Sequence, residues 1–176
     1  MTASTGRGRR LGLATLTVTA LVTGATACRK RAKEIAGIGP WSVTRTTLAS
    51  ATGRCEPTDL PDGRKGTWCY GQQPLRIAGS PAEVDLYFAG DDPKATPIEI
   101  QLTVRGCKET PTFDWLRQVF GPPASTTGPW AYWDNAYIFL AAGMPSAPGR
   151  CTLRILPRRE QAEFERIRAG HTTPPG

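Results

Sequence analysis

The groups with which this chain could do acid–base chemistry are few and badly spaced for it. It has one histidine, His171, and 15 acidic residues. His171 lies in the C-terminal tail, too far from the body for a histidine-based triad. No Gly-x-Ser-x-Gly, phosphate-binding loop or His-Glu-x-x-His occurs. Paired carboxylates can work without histidine, as in glycosidases. Glu83, Asp85, Asp91, Asp92 and Glu99 are the candidates. Strand periodicity puts Asp85 and Glu99 on a polar face, and Asp91-Asp92 fall in a turn. Solvated strand and turn positions account for all five. A calcium site needs more convergent oxygens than Asp91-Asp92 offer. We expect no catalytic residue, no cofactor and no metal.

The remaining groups with chemical potential are five cysteines: Cys28, Cys55, Cys69, Cys107 and Cys151. Cys28 stands apart. Arg7, Arg9 and Arg10 precede an uncharged apolar run from Leu11 to Val22, and small residues at 24, 25 and 27 lead into it. The run is too short for a permanent span of about 20 residues. Residues 1–28 resemble a bacterial lipoprotein signal peptide, although Ala25 stands where that motif usually has Leu. The resemblance implies cleavage before Cys28 and lipidation of its thiol. Ala25-Thr26-Ala27 equally suits an ordinary secretory cut at the same bond. Arg9-Arg10 forms a twin-arginine pair, but Gly12 and Leu13 do not complete that motif.

With Cys28 removed to the lipid, four cysteines remain for an oxidising compartment. Four allow three pairings. We favour Cys55–Cys69, closing a short polar loop, and Cys107–Cys151, tying distant strands. No C-x2-C spacing suggests a metal.

Charge follows the same division. The chain carries 22 basic and 15 acidic residues, net +7. Three of the basic residues lie in the signal, and Arg29, Lys30, Arg31 and Lys33 follow Cys28 directly, so the body beyond is neutral. That distribution argues against nucleic acid. It suits a tether lying on anionic headgroups. Arg29 after the cysteine fits outer-membrane sorting or surface display. The expected partners are the membrane, through the N-terminal lipid, and an envelope protein.

The elements that must position these groups are short. We expect a signal peptide over 1–27, a lipidated cysteine and basic tether over 28–40, one compact domain over 41–170, and a disordered tail over 171–176. Helices are predicted at 112–120, from the stripe Phe113, Leu116 and Phe120 before Gly121, at 158–169, and around 42–52. Strands are predicted at 67–77, 84–88, 98–104 and 151–156, with a hairpin over 130–140 turning at Asp134-Asn135. The aromatic cluster Trp130, Tyr132, Trp133, Tyr137 and Phe139 is the best surface with a task. Trp130 and Tyr132 read as core. Trp133, with Asp134 and Asn135, reads as a binding surface.

The order helix, Gly stop, loop, Trp-x-Tyr, strand, strand occurs twice, with Trp68-Cys69-Tyr70 and Trp130-Ala131-Tyr132 as its markers. The second copy resembles the small outer-membrane assembly lipoproteins (SmpA/OmlA type), and the doubling with disulfides is similar to the β-lactamase inhibitor protein fold. These resemblances imply architecture over 46–156 and no binding residues. The expected fold is α+β: a small antiparallel sheet with short helices on one face, as two tandem α-β-β-β units with two disulfides. The expected function is a lipid-anchored, non-catalytic binding or assembly module of the envelope. The alternatives are a secreted enzyme inhibitor presenting loops 90–97 or 133–136, and a carboxylate-dependent hydrolase of envelope glycan using Asp85 or Glu99.

Overall fold

The computed structural model describes residues 37–38 and 40–172. The signal segment, Cys28 and the basic tether as far as residue 36 lie outside the described residues. β1 (Gly37–Ile38) and β2 (Trp41–Ser42) form a small antiparallel pair. The rest is one nine-stranded antiparallel sheet. Its strands are β3 (Arg54–Asp59), β4 (Lys65–Tyr70), β5 (Leu75–Ile77), β6 (Ser80–Ala89), β7 (Glu99–Arg105), β8 (Ser125–Thr127), β9 (Trp130–Asp134), β10 (Ile138–Ala147) and β11 (Arg150–Pro157). The sheet order is β3-β4-β6-β7-β11-β10-β9-β8, with β5 on β6. Two four-strand meanders therefore meet through their last strands, where Gln101 pairs with Arg154 and Leu102 with Leu153.

Two α-helices accompany the sheet: α1 (Glu109–Phe120) and α2 (Gln161–Thr172). They lie on opposite faces. Leu116 and Phe120 of α1 join Cys69, Leu86, Ile100, Leu140 and Leu153 in the main core. Phe164 and Ile167 of α2 pack with Tyr132, Phe139, Ala141 and Leu156 on the other side. Strand β10 serves both faces, so Ile138 to Ala142 is apolar throughout rather than alternating.

The α+β expectation is thus corrected: the fold is β-rich, and its helices do not share a face. The predicted helix at 42–52 does not form. Only a 3-10 turn, Leu48–Ser50, stands there. The amides of Leu48 and Ala49 donate to Ala95 and Pro93 carbonyls in the 90–97 loop, which ends helical continuation. The β-branched run Thr44, Thr46, Thr47 also favours extended backbone.

Other boundaries shift modestly. The strand expected at 67–77 is two strands, broken at Gly71 to Pro74. Helix α1 begins at Glu109 rather than at Thr112, with Pro111 in its first turn, where a missing N–H costs nothing. Gly121 ends α1 at φ 83°, a conformation a side chain disfavours, and its N–H returns to the Arg117 carbonyl. The hairpin turns at Asp134-Asn135. Helix α2 runs through His171 to Thr172, so those two residues belong to it rather than to a disordered tail. Cys55 pairs with Cys69 across β3 and β4, and Cys107 pairs with Cys151, fastening the entry of α1 to the central strand β11.

Candidate binding face

Alternation along the central strands divides the sheet's side chains cleanly. Cys69, Val84, Leu86, Ile100 and Leu102 point to α1. Trp68 and Tyr70 on β4, Glu83, Asp85 and Tyr87 on β6, and Glu99 and Gln101 on β7 point to the α2 side. Helix α2 covers only the β9–β11 half of that side. Among the described residues no helix covers the other half, which is bare sheet.

Register sets the neighbours on the bare half. Trp68 pairs with Tyr87, and Tyr87 with Glu99. Asp85 pairs with Gln101, and Gln101 with Arg154. The rings form a run: Tyr70 to Trp68 at 4.6 Å between centroids, and Trp68 to Tyr87 at 6.3 Å and nearly parallel. The Tyr70 hydroxyl donates to Glu56 at 2.5 Å. Burial raises the Tyr87 phenol to about 12, helped by the charges of Asp85 and Glu99.

An ion-paired wall separates the bare half from α2. Arg154 forks onto both Glu99 oxygens at 2.6 and 2.7 Å and reaches Glu163 of α2 at 3.4 Å. Arg64, from the β3–β4 turn, donates to Glu160 at 2.8 Å. Between that turn and α2 lies a cavity of ≈ 250 Å³, floored by Tyr87, Ile98, Glu99 and Gln101. A wider hollow of ≈ 520 Å³ opens over Trp68, Tyr70, Gln72 and Asp85.

The predicted site residues separate. Asp85 and Glu99 do share a face, as diagonal neighbours on β6 and β7. They differ in state. Glu99 is buried with both oxygens held by Arg154. Asp85 has no salt bridge among the described residues; burial and then the Glu83 charge raise its carboxyl above the ordinary value, against the pull of the Trp68 indole. Glu83 is paired with Arg105. Asp92 caps its own turn, accepting from the Lys94 amide at 2.9 Å. Among the described residues no three His, Cys, Asp or Glu converge as metal ligands.

Trp133 is corrected from surface to core. It is 1% exposed, and its indole N–H donates to the Gly121 carbonyl at 2.8 Å. Helix α1 covers the side of the hairpin that alternation had left outward. Asp134 is exposed and paired with Arg158, and Asn135 Oδ1 accepts the Tyr137 and Ile138 amides at 2.9 and 3.0 Å, which closes the hairpin turn. These two shape a turn and do not extend the bare face. His171 stacks on Trp130 at 3.6 Å, with Nδ1 at 2.9 Å from the Tyr132 hydroxyl. Loop 90–97 is fastened by Arg159, whose Nη2 donates to the Thr96 and Pro97 carbonyls.

Trp68, Tyr70 and Tyr87 are the residues the sequence reading passed over. Their signal was the first Trp-x-Tyr, alternating with the buried Cys69 in the same way that Tyr87 alternates with Leu86 and Phe88. No family model, curated protein or solved structure matches this chain.

Proposed function

We propose that the protein is an exported, lipid-anchored envelope protein that acts as a non-catalytic binding module through the bare half of its sheet. The single observation that carries the reading is the run of Tyr70, Trp68 and Tyr87, which no helix among the described residues covers, beside the half-buried Asp85. Aromatic side chains offer large contact area at low entropic cost, which suits a recognition surface. The commitment of both Glu99 oxygens to Arg154 favours binding over two-carboxylate hydrolysis, because it leaves Asp85 without a free second carboxylate. The two cystines suit an oxidising compartment. The N-terminal resemblance supplies the anchor at Cys28, outer-membrane or surface placement, and an envelope partner.

The test compares the full-length protein with Trp68→Ala/Tyr70→Ala, both expressed with their own N-terminus. Retention on washed, delipidated envelopes should fall about tenfold in the variant, the size expected for losing two central aromatic contacts, while thermal unfolding stays cooperative. Equal retention of a folded variant would contradict the reading.

A further inference from the structure

The turns at 77–80, 105–108 and 147–150 lie at one end of the sheet, where β6 and β11 begin and β7 and β10 finish. They are fastened into one rim. The Gly106 and Cys107 amides donate to the Gly149 carbonyl at 2.9 and 3.2 Å, and the Cys107–Cys151 cystine ties the rim to β11. Basic side chains crowd it. Arg76, Arg105, Lys108 and Arg150 are all exposed there, against the carboxylates of Glu83 and Glu109. Glu83 pairs with Arg105 at 2.6 Å. Arg76 donates to the Gly79 carbonyl at 2.9 Å, and neither it nor Lys108 has a salt bridge among the described residues.

Two of these placements are unfavourable within the fold itself. Arg105 and Arg150 stand directly opposite each other on β7 and β11, where like charges repel. Lys108 is the N-cap of α1, the end at which the helix dipole disfavours a cation. An external anionic partner relieves both. The loops at the other end of the sheet carry no such surplus: Arg64 pairs with Asp62 and Glu160, and Arg158 with Asp134. The chain also enters near the basic rim, since Trp41 Nε1 donates to the Gln73 carbonyl at 3.1 Å, just before β5. Only the tether separates that entry from Cys28, and it reaches at most about 3.5 Å per residue.

Building on the lipid-anchored reading, we propose that this rim is the surface the folded domain sets against the bilayer, with Arg76, Arg105, Lys108 and Arg150 on the phosphates of anionic headgroups. Four cations spread over three turns match a field of phosphates rather than one small anion. The strands then stand upright on the membrane, and the bare face looks along it.

The experiment places the lipidated protein in phosphatidylcholine nanodiscs with and without phosphatidylglycerol, each doped with a gadolinium-chelating lipid. It reads paramagnetic broadening of the Gly79, Gly106 and Gly149 amides at the rim and of Gly63 and Gly90 at the other end. With phosphatidylglycerol the rim glycines should broaden most, and added salt should weaken the effect. Arg76→Gln/Lys108→Gln should cut it several-fold, each charge counting about fivefold near an anionic surface. Arg76→Lys/Lys108→Arg, which keeps both charges, should behave as the parent. Equal broadening at both ends, no response to phosphatidylglycerol, or an unaffected glutamine variant overturns the proposal. So does binding of a polyglutamate peptide at the rim without a lipid response, which would mean an acidic protein partner. If the protein is lipidated but shows no preferred end, the rim assignment falls and the anchor reading stands. If it carries no lipid yet binds phosphatidylglycerol vesicles through the rim, the anchor reading falls and the rim assignment stands.

Discussion

The two meanders place a Trp-x-Tyr pair at the same position, on the second strand and facing the same side of the sheet, yet one pair is covered and the other is bare. Trp130 and Tyr132 lie under α2, with His171 stacked on the tryptophan and Phe164 edge-on to the tyrosine. Among the described residues no helix lies over Trp68 and Tyr70. The cause lies across the strand. Gly143 and Ala141 leave a trough that Phe164 and Ile167 fill. Tyr87 and Asp85 occupy the corresponding ground in the first half. Aromatic residues on a strand do not decide whether a face becomes core or surface. The size and charge of their cross-strand neighbours do.

The largest disturbance of this contrast should come from Phe164→Ala. Phe164 is 1% exposed and stacks on Phe139 at 4.6 Å. Its loss should cost about 3–5 kcal/mol in denaturant unfolding and free α2 to exchange its amides. The same truncation at Trp68 should cost less, because that residue is only partly buried. A smaller change copies one feature of the bare half into the covered one. Gly143→Tyr should cost about 1–3 kcal/mol through overpacking and separate His171 from Trp130, read as a change in indole fluorescence.

The smallest effects are of pH, and they run in opposite directions in the two halves. Burial, then the Arg154 charge, lowers the His171 imidazole below its ordinary 6.5. The folded state disfavours that proton, so this contribution is present above 6.5 and is lost as pH falls through the depressed folded value. Burial raises Asp85 above its ordinary 3.8. The folded state holds that proton more tightly, so stability falls as pH rises from 3.8 through the raised value. Asp85→Asn should therefore stabilise near neutral pH and not in strong acid. His171→Ala should flatten the loss of stability just below 6.5. Unfolding midpoints across pH check both, and a shared sign would refute the contrast.

Much of the sheet was legible in the chain. Glu99 to Val104 alternates cleanly, and Asp134-Asn135 punctuates the hairpin. Of the three pairings open to the four cysteines, the favoured one forms, with Cys55 and Cys69 14 apart and Cys107 and Cys151 44 apart. The faces were not legible. Alternation says that Tyr132 and Trp133 point to opposite sides, but both sides are buried there, by α2 and α1. An apolar run such as Ile138 to Ala142 names no outer side. The 42–52 segment misled because Leu48, Ala49 and Ala51 suit a helix, while its backbone partners sit 45 or so residues away in loop 90–97. The bare face stayed hidden because Trp68 and Tyr70 read the same in sequence as Trp130 and Tyr132. Only the cross-strand register tells them apart.

The most direct test of the account uses the five tryptophans as five indole N–H reporters. The assigned spectrum of the full protein is recorded as solubilised envelope material is added. The account predicts that the Trp68 signal moves first and furthest, while Trp133, buried against α1, and Trp130, stacked on His171 of α2, hold still. Movement confined to Trp130 and Trp133, or no movement at any indole, would contradict it.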